Sequence, residues 1–121
     1  MAAPNLVNVA TITAKSVQAT LNTTLTTEIL ANASSSGKVF KINNIIIANI
    51  DGSSAVDVSV AITKSGGSPI MIASTISVPA DATLVVVDKN TAIYLEEGDN
   101  IEAGAGANSD ATITISYEEL S

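Results

Sequence analysis

Apolar and polar residues alternate with a period of two along much of this chain, and this pattern limits what the chain can fold into. The clearest segments are Val56, Val58, Val60 and Ile62 alternating with Asp57, Ser59, Ala61 and Thr63, and Ile113, Ile115 and Tyr117 alternating with Thr112, Thr114, Ser116 and Glu118. Successive side chains of a β-strand point to opposite faces of the sheet. Each segment therefore predicts a strand with one apolar face and one wettable face.

Clusters of turn-forming residues separate these segments at a spacing of 8–14 residues. They are Ala33-Ser-Ser-Ser-Gly37, Asp51-Gly-Ser-Ser54, Ser65-Gly-Gly-Ser-Pro69, Pro79-Ala-Asp-Ala82, Asp88-Lys-Asn90, Glu97-Gly-Asp-Asn100 and Asn108-Ser-Asp110. Short strands at such a spacing are typical of a sandwich or barrel. The alternation predicts about seven or eight strands after Leu25.

Composition supports an all-β, soluble chain. Ile, Val and Thr contribute 15, 11 and 13 of the 121 residues, whereas Leu contributes only seven. Side chains branched at Cβ fit a pleated surface better than a helix. Unbroken apolar runs reach only four residues, far short of the roughly 20 that a membrane-spanning helix needs.

The residue types that are missing exclude several kinds of chemistry. The chain has no His, Cys, Trp or Arg, so it cannot form a Ser-His-Asp or Cys-His triad, a zinc-finger-type site or a disulfide. A net charge of −7 argues against nucleic-acid and anionic-membrane partners, because Lys and Arg must neutralise phosphates there. We therefore expect a protein that is not an enzyme, with no catalytic residues, no cofactor and no metal.

Two segments depart from simple alternation. Between Phe40 and Ile50, the run Ile45-Ile46-Ile47 places apolar side chains on both faces, which predicts either a central strand covered on both sides or a strand with a bulge. From Ile101 to Ala107, small residues alternate with Gly104 and Gly106, which predicts a strand that another segment approaches closely.

The first 24 residues contain no Gly, no acidic residue and a single lysine. Val7, Val9, Thr11 and Thr13 suggest one strand, and Val17, Ala19 and Leu21 suggest another. We interpret residues 1–24 as an N-terminal arm with edge strands, its first dozen residues being an extended arm or edge strand, and residues 25–121 as the β domain. No secretory signal is recognisable at the start of the chain.

The acidic residues Glu96, Glu97, Asp99 and Glu102 form the one cluster that suggests a ligand. Carboxylate oxygens bind Ca²⁺ and Mg²⁺, but a solvated turn between two strands explains the same residues, and we favour that interpretation. Ser36-Gly37-Lys38 and Gly104-Ala-Gly106 are incomplete versions of phosphate- and dinucleotide-binding loops, and a turn and a closely packed strand explain them better.

Several segments of the chain also resemble small virion proteins of tailed phages, of the marine and cyanobacterial type. The resemblance lies in Val78-Pro-Ala-Asp-Ala-Thr-Leu-Val-Val-Val87, Ala92-Ile-Tyr-Leu-Glu-Glu-Gly-Asp-Asn-Ile101, Ile113-Thr-Ile-Ser-Tyr-Glu-Glu119, Ser36-Gly-Lys-Val-Phe-Lys-Ile42 and Ala48-Asn-Ile-Asp-Gly52. It covers about residues 34–119, and the phrase Tyr-Leu-Glu-Glu-Gly-Asp is its most specific part. The resemblance implies a non-catalytic β-sandwich subunit of the particle.

Together these observations predict an antiparallel two-sheet β-sandwich of jelly-roll type with an extended N-terminal arm. The expected role is a capsid decoration (cement) protein that braces the phage major capsid protein as a homo-oligomer, with a trimer favoured. It would be made in the host cytoplasm and located on the capsid surface. The alternatives are a neck or tail accessory protein and, from a different class, a host-surface or carbohydrate-binding module. The candidate partner-binding residues of the arm are Leu6, Val7, Val9 and Ile12, which are apolar and lie in a charge-free stretch.

Overall fold

The computed structural model describes residues 4–25 and 28–121, which form nine β-strands and two short 3₁₀ helices and contain no α-helix. The strands are β1 (Ile12–Thr20), β2 (Glu28–Ala31), β3 (Val39–Asn49), β4 (Val56–Thr63), β5 (Ile70–Val78), β6 (Thr83–Val87), β7 (Ile93–Leu95), β8 (Asn100–Ala105) and β9 (Ala111–Leu120). The 3₁₀ helices are Leu6–Asn8 and Lys89–Thr91. The predicted all-β class is confirmed.

The strands form two antiparallel sheets. The first has the order β1-β9-β3-β6, with β7 pairing with β3 beyond the end of β6, and the second has the order β2-β8-β4-β5. Most neighbours in a sheet are far apart in sequence; β1, for example, pairs with β9 along its whole length. The two sheets face each other, and the core lies between them.

The core is aliphatic and draws on both sheets. Its fully buried side chains include Ile42, Ile45, Ile47, Ile113 and Ile115 from the first sheet and Val58, Val60, Ile101 and Ala103 from the second. At about 25 cal/mol for each Å² of apolar surface removed from water, burying such side chains is the main favourable contribution to folding. Total exposed area is 6182 Å², close to the roughly 6,100 Å² expected of a folded monomer of this mass.

The faces predicted for β4 and β9 are largely confirmed. Val56, Val58 and Val60 are buried, whereas Asp57 is exposed. Ala61, which the alternation places on the wettable face, is nevertheless completely buried. The alternation of β4 is unbroken here, because β4 pairs regularly with β8 from Val58 to Thr63 and the extra residue of the shifted β4–β5 pairing belongs to β5. Ala61 is a small residue on the outer face of a strand flanked on both sides, by β8 and β5.

A bulge in β3 explains why Ile45 and Ile47 do not continue the alternation that begins at Phe40 and Ile42. In the pairing with β9, Ile42 lies opposite Tyr117 and Asn44 lies opposite Ser116, so Asn43 is an extra residue. The bulge moves the inward face from Phe40 and Ile42 to Ile45 and Ile47, as expected when one residue is inserted into a strand. The strand is also central in its sheet, between β9 on one side and β6 and β7 on the other.

The close approach predicted for the small-residue strand occurs at Gly104 of β8. A Cβ at this position would lie 3.1 Å from the Cα of Leu25 and 3.2 Å from its backbone nitrogen. The segment that leads from β1 towards β2 therefore crosses directly over β8, and a side chain at position 104 would have to displace backbone. Glycine is required here for packing.

Candidate interaction surface

The N-terminal segment carries the residues predicted to bind a partner, and most of them are exposed. Leu6 and Val7 belong to the first 3₁₀ helix and are 51% and 93% exposed, while Ile12, the first residue of β1, is 62% exposed. Val9 is half-buried. The expected strand through Val7 is replaced by this single helical turn, where the Asn5 side chain accepts a hydrogen bond from the backbone N–H of Val7 at 3.0 Å.

Leu6 lies beside a shallow depression of about 270 Å³ whose other lining residues are Pro4, Val39, Tyr94 and Glu96. Tyr94 is itself 46% exposed. The structure thus brings Leu6 close to an apolar part of β3 and β7, whereas Ile12 lies opposite Leu120 in the strand pairing. The four candidate residues share one short segment, but they do not form one continuous pocket.

The N-terminal segment is hydrogen-bonded to the sandwich from residue 10 onward. The backbone N–H groups of Ala10 and Thr11 both donate to the carbonyl of Ser121, at 2.8 and 2.9 Å, and Ser121 N–H donates to the Thr11 carbonyl at 2.9 Å. From Ile12 onward, β1 pairs with β9 in one unbroken register. Residues 4–9 therefore extend from a fixed point at the edge of the first sheet.

An ion network lies at the same end of the sandwich. The Glu119 carboxylate accepts hydrogen bonds from Lys15 Nζ at 2.9 Å and from Lys38 Nζ at 3.1 Å. Burial acts to raise the pKa of the Glu119 carboxyl, but the bonds and charges of Lys15 and Lys38 outweigh it, and the net result is a lowered pKa. The same contact raises the pKa of Lys15.

This network predicts a loss of stability in acid. Because the pKa of Glu119 is lower in the folded than in the unfolded chain, its contribution is complete above the ordinary carboxyl value near 4.5 and disappears as the pH falls through the folded-state value. We expect Glu119→Gln to remove about 1 kcal/mol or less at neutral pH, since both lysines are partly exposed. Its melting temperature should also fall less between pH 5 and pH 3 than that of the parent chain.

The matched control is Glu118→Gln, which changes the neighbouring carboxylate on the other face of β9. Melting curves recorded across the acid range compare the two variants with the parent chain. An acid dependence that is the same in Glu119→Gln and in the parent would contradict the assignment.

The acidic cluster at Glu96–Glu102 differs from the predicted solvated turn. Asp99 is only 1% exposed, and its carboxylate accepts from Lys64 Nζ at 2.5 Å, from Ser65 N–H at 3.1 Å and from Glu96 N–H at 2.9 Å. Glu97 accepts from Gly37 N–H at 3.0 Å. These carboxylates join three loops at one end of the sandwich, so the interpretation as a solvated turn is wrong for Asp99.

Glu96 and Glu102 also have partners within the protein: Lys64 Nζ for Glu96, and the Thr63 hydroxyl, at 2.6 Å, for Glu102. No group of three or more His, Cys, Asp or Glu side chains within residues 4–25 and 28–121 has an arrangement that could hold a metal ion. We expect the melting temperature to be the same with and without EDTA. A fall of several degrees that Ca²⁺ reverses would contradict this prediction.

Two further buried polar side chains join loops in the same way, and sequence reasoning missed them. Asn32 donates through Nδ2 to the carbonyls of Lys38 and Leu95 at 2.9 and 3.1 Å. Asn49 donates to the carbonyls of Ser54 and Val78, both at 2.9 Å. Each Asn stands at the end of a strand immediately before a turn cluster, which is the one sequence signal that could have indicated its role.

A depression of about 470 Å³ lies on the outer face of the first sheet. Its lining residues are Lys41, Asn43, Asn44, Ile46, Val85, Asp88, Lys89 and Glu118. Lysines and carboxylates are mixed here, so neither an anion nor a cation is clearly favoured.

No protein-family model matches this chain, and a search of curated proteins finds no match. In the part of the chain that the structure describes, no helix is long and apolar enough to cross a membrane. Fold and surface together define an all-β sandwich with an exposed apolar N-terminal segment.

Proposed function

We propose that this chain is a non-enzymatic structural protein of a tailed-phage virion, and specifically a decoration (cement) protein that braces the major capsid protein. Its place is the outer surface of the capsid, after synthesis in the host cytoplasm. The resemblance of residues 34–119 to small virion proteins supports the virion assignment. The exposed N-terminal segment on a rigid two-sheet domain is the observation that carries the attachment role.

Strand order supports the jelly-roll form of the proposal. A jelly roll has two four-stranded sheets formed by two Greek keys, in which the first, eighth, third and sixth strands lie together and the second, seventh, fourth and fifth form the other sheet. When the short β7 is left out, β8 is the seventh strand of this chain and β9 is the eighth. The orders β1-β9-β3-β6 and β2-β8-β4-β5 match this arrangement, with β7 as a short addition. The arm expected at residues 1–24 is shorter in the proposed architecture and consists of the residues before β1, because β1 pairs with β9 along its whole length.

The attachment role follows from exposure and charge. Val7 is 93% exposed, and no charged residue occurs before Lys15. A short apolar segment of this kind buries its side chains by lying on a neighbouring protein or by adding a strand to its sheet. A subunit that binds only the assembled shell stabilises it by an amount set by affinity and concentration. The proposed subunit acts as a homo-oligomer, with a trimer favoured.

The experiment mixes purified protein with heads that lack it and measures co-sedimentation. Deletion of residues 1–9 spares the backbone bonds to Ser121, so the truncated chain is expected to fold but not to bind heads. Val7→Asp should weaken binding without changing the melting temperature, whereas Asn8→Asp, the matched control in the same helical turn, should bind more strongly than Val7→Asp. Equal co-sedimentation of full-length and truncated protein would contradict the arm as the attachment point.

Two alternatives have distinct outcomes in this experiment. Binding of the full-length protein to tails instead of heads would support a neck or tail accessory protein. Binding to host cells or their polysaccharides, with no binding to particles, would support a host-surface or carbohydrate-binding module. Such modules rely on flat aromatic rings, and this chain has only Phe40, Tyr94 and Tyr117 as aromatic residues.

A further inference from the structure

One side of the sandwich exposes more apolar surface than the rest of the molecule. On this side β5, an edge strand of the second sheet, lies beside β6, an edge strand of the first sheet. We call this side the β5/β6 flank (residues 70–78 and 83–87). Five of the ten large apolar side chains that are exposed in the described part of the chain belong to it: Ile70, Met71, Ile72, Ile76 and Val85. Ile70 is 65% exposed and Val85 is 56% exposed.

The residues of the β5/β6 flank are themselves almost free of charge, although Val85 borders the depression that also contains Lys41, Asp88, Lys89 and Glu118. From Ser65 to Val87 the only charged residue is Asp81, in the turn that joins the two strands. This is unusual in a chain with 12 acidic and five basic side chains. An exposed apolar patch of this kind marks an interaction surface.

The backbone of β5 is unsuited to accepting an added strand. Its pairing with β4 shifts twice, between Val58 and Val60 and between Val60 and Ala61. Thr75 has a φ of 52°, a strained value for a β-branched residue, and its N–H donates to the Ser59 hydroxyl at 2.9 Å. Bulges of this kind prevent edge-to-edge pairing. A partner on this flank must therefore contact its side chains rather than extend the sheet.

Charge favours a second copy of the same chain as that partner. Close to a rotation axis, a side chain lies near its own symmetry equivalents, so a charge there meets a like charge. Copies with a net charge of −7 repel one another, and the repulsion is smallest where the facing surfaces carry few carboxylates. A basic partner would instead bind where the carboxylates are.

We infer that the β5/β6 flank is the surface through which copies of this chain associate around a symmetry axis. The inference rests on the proposed homo-oligomer and gives it a location. It requires neither a particle nor the N-terminal segment, so its test uses the purified full-length protein alone. Particle binding and self-association can therefore fail independently.

The test is sedimentation equilibrium of the parent chain and of variants with one lysine added. Ile72→Lys places like charges together at the axis, and we expect the association constant to fall by at least about tenfold. Ile70→Lys should have the same effect. Ile70 is the most exposed of the flank's large apolar side chains, so this second variant should disturb folding least. Gln18→Lys is the matched control, since Gln18 is exposed on β1, the edge strand at the opposite side of the first sheet.

Adding a lysine lowers the net negative charge of the whole molecule, so general repulsion alone predicts stronger association for all three variants. Weaker association of the Ile70 and Ile72 variants, with association of Gln18→Lys unchanged or stronger, supports the inference. Salt should strengthen association of the parent chain, because it screens repulsion between like-charged copies. Either a dimer or a trimer would support the inference about the flank, although a dimer would contradict the proposed trimer.

Three results would overturn the inference. They are a parent chain that stays monomeric at all concentrations and salt levels, an oligomer that the Ile70 and Ile72 variants leave intact, and an equal loss of association in Gln18→Lys. Melting curves of each variant confirm that the sandwich is folded before association is compared.

Discussion

Val60→Asp is expected to prevent folding. Val60 is completely buried in the centre of β4, paired with Ala103 of β8 and Ala73 of β5. A carboxylate there would lose its hydration without gaining a partner, and it would also leave part of the valine's volume unfilled. We expect a cost of at least about 4 kcal/mol, at the extreme of single substitutions and comparable with the whole stability of a small domain.

The control is Asp57→Ala, three residues earlier on the opposite face of the same strand. Asp57 is exposed, so its replacement should change stability by no more than about 0.5 kcal/mol. Far-ultraviolet circular dichroism and urea unfolding of the two variants provide the measurement. A Val60→Asp chain as stable as Asp57→Ala would mean that the register of β4 is incorrect.

Asp99→Ala is expected to have the second-largest effect. The substitution leaves the N–H groups of Glu96 and Ser65 without their acceptor at a position that is 1% exposed. Hydrogen bonds to a charged group contribute about 1.5–3 kcal/mol each, and these two are partly buried, so we expect a loss of about 3 kcal/mol in the free energy of unfolding. Lys64, whose side chain is 53% exposed, remains solvated and adds little.

Glu96→Ala is the matched control for Asp99→Ala. Glu96 binds the same lysine, but its side chain is 68% exposed, and exposed ion pairs contribute about 1 kcal/mol or less. Urea unfolding should therefore separate the two variants by about 2 kcal/mol. Equal losses would show that the lysine contact, rather than the backbone contacts of Asp99, is what stabilises these loops.

Strand class and strand faces could be predicted because they depend on local properties. Branching at Cβ favours the extended backbone, and alternation assigns one face to Val56, Val58 and Val60 and to Ile113 and Ile115 without knowledge of any partner strand. Gly104 could likewise be identified as a point of close approach, because a strand has few other uses for glycine. The segment that approaches it could not be named from the sequence.

Buried polar groups could not be predicted in the same way. Asn32, Asn49 and Asp99 are of residue types that are common in turns. The carbonyls and N–H groups that bind their side chains belong to segments as many as 63 residues away in the chain. Their burial depends on how the loops meet at the ends of the sandwich. The same limit applies to Ala61, since the two strands that flank β4 are β8 and β5 and that arrangement is set by long-range pairing.

By itself, the sequence determined an all-β chain with two-faced strands, an uncharged N-terminal segment and no residues for His- or Cys-based catalysis, because these follow from residue type and period. Only the tertiary structure decided which apolar residues are covered. Ile70, Met71 and Ile72 are as hydrophobic as Ile45, Ile46 and Ile47, yet the first three are exposed and the second three are buried or half-buried. The difference arises because β5 is the last strand of its sheet and β3 is flanked on both sides, and the position of a strand in a sheet is set by long-range pairing that no local pattern encodes.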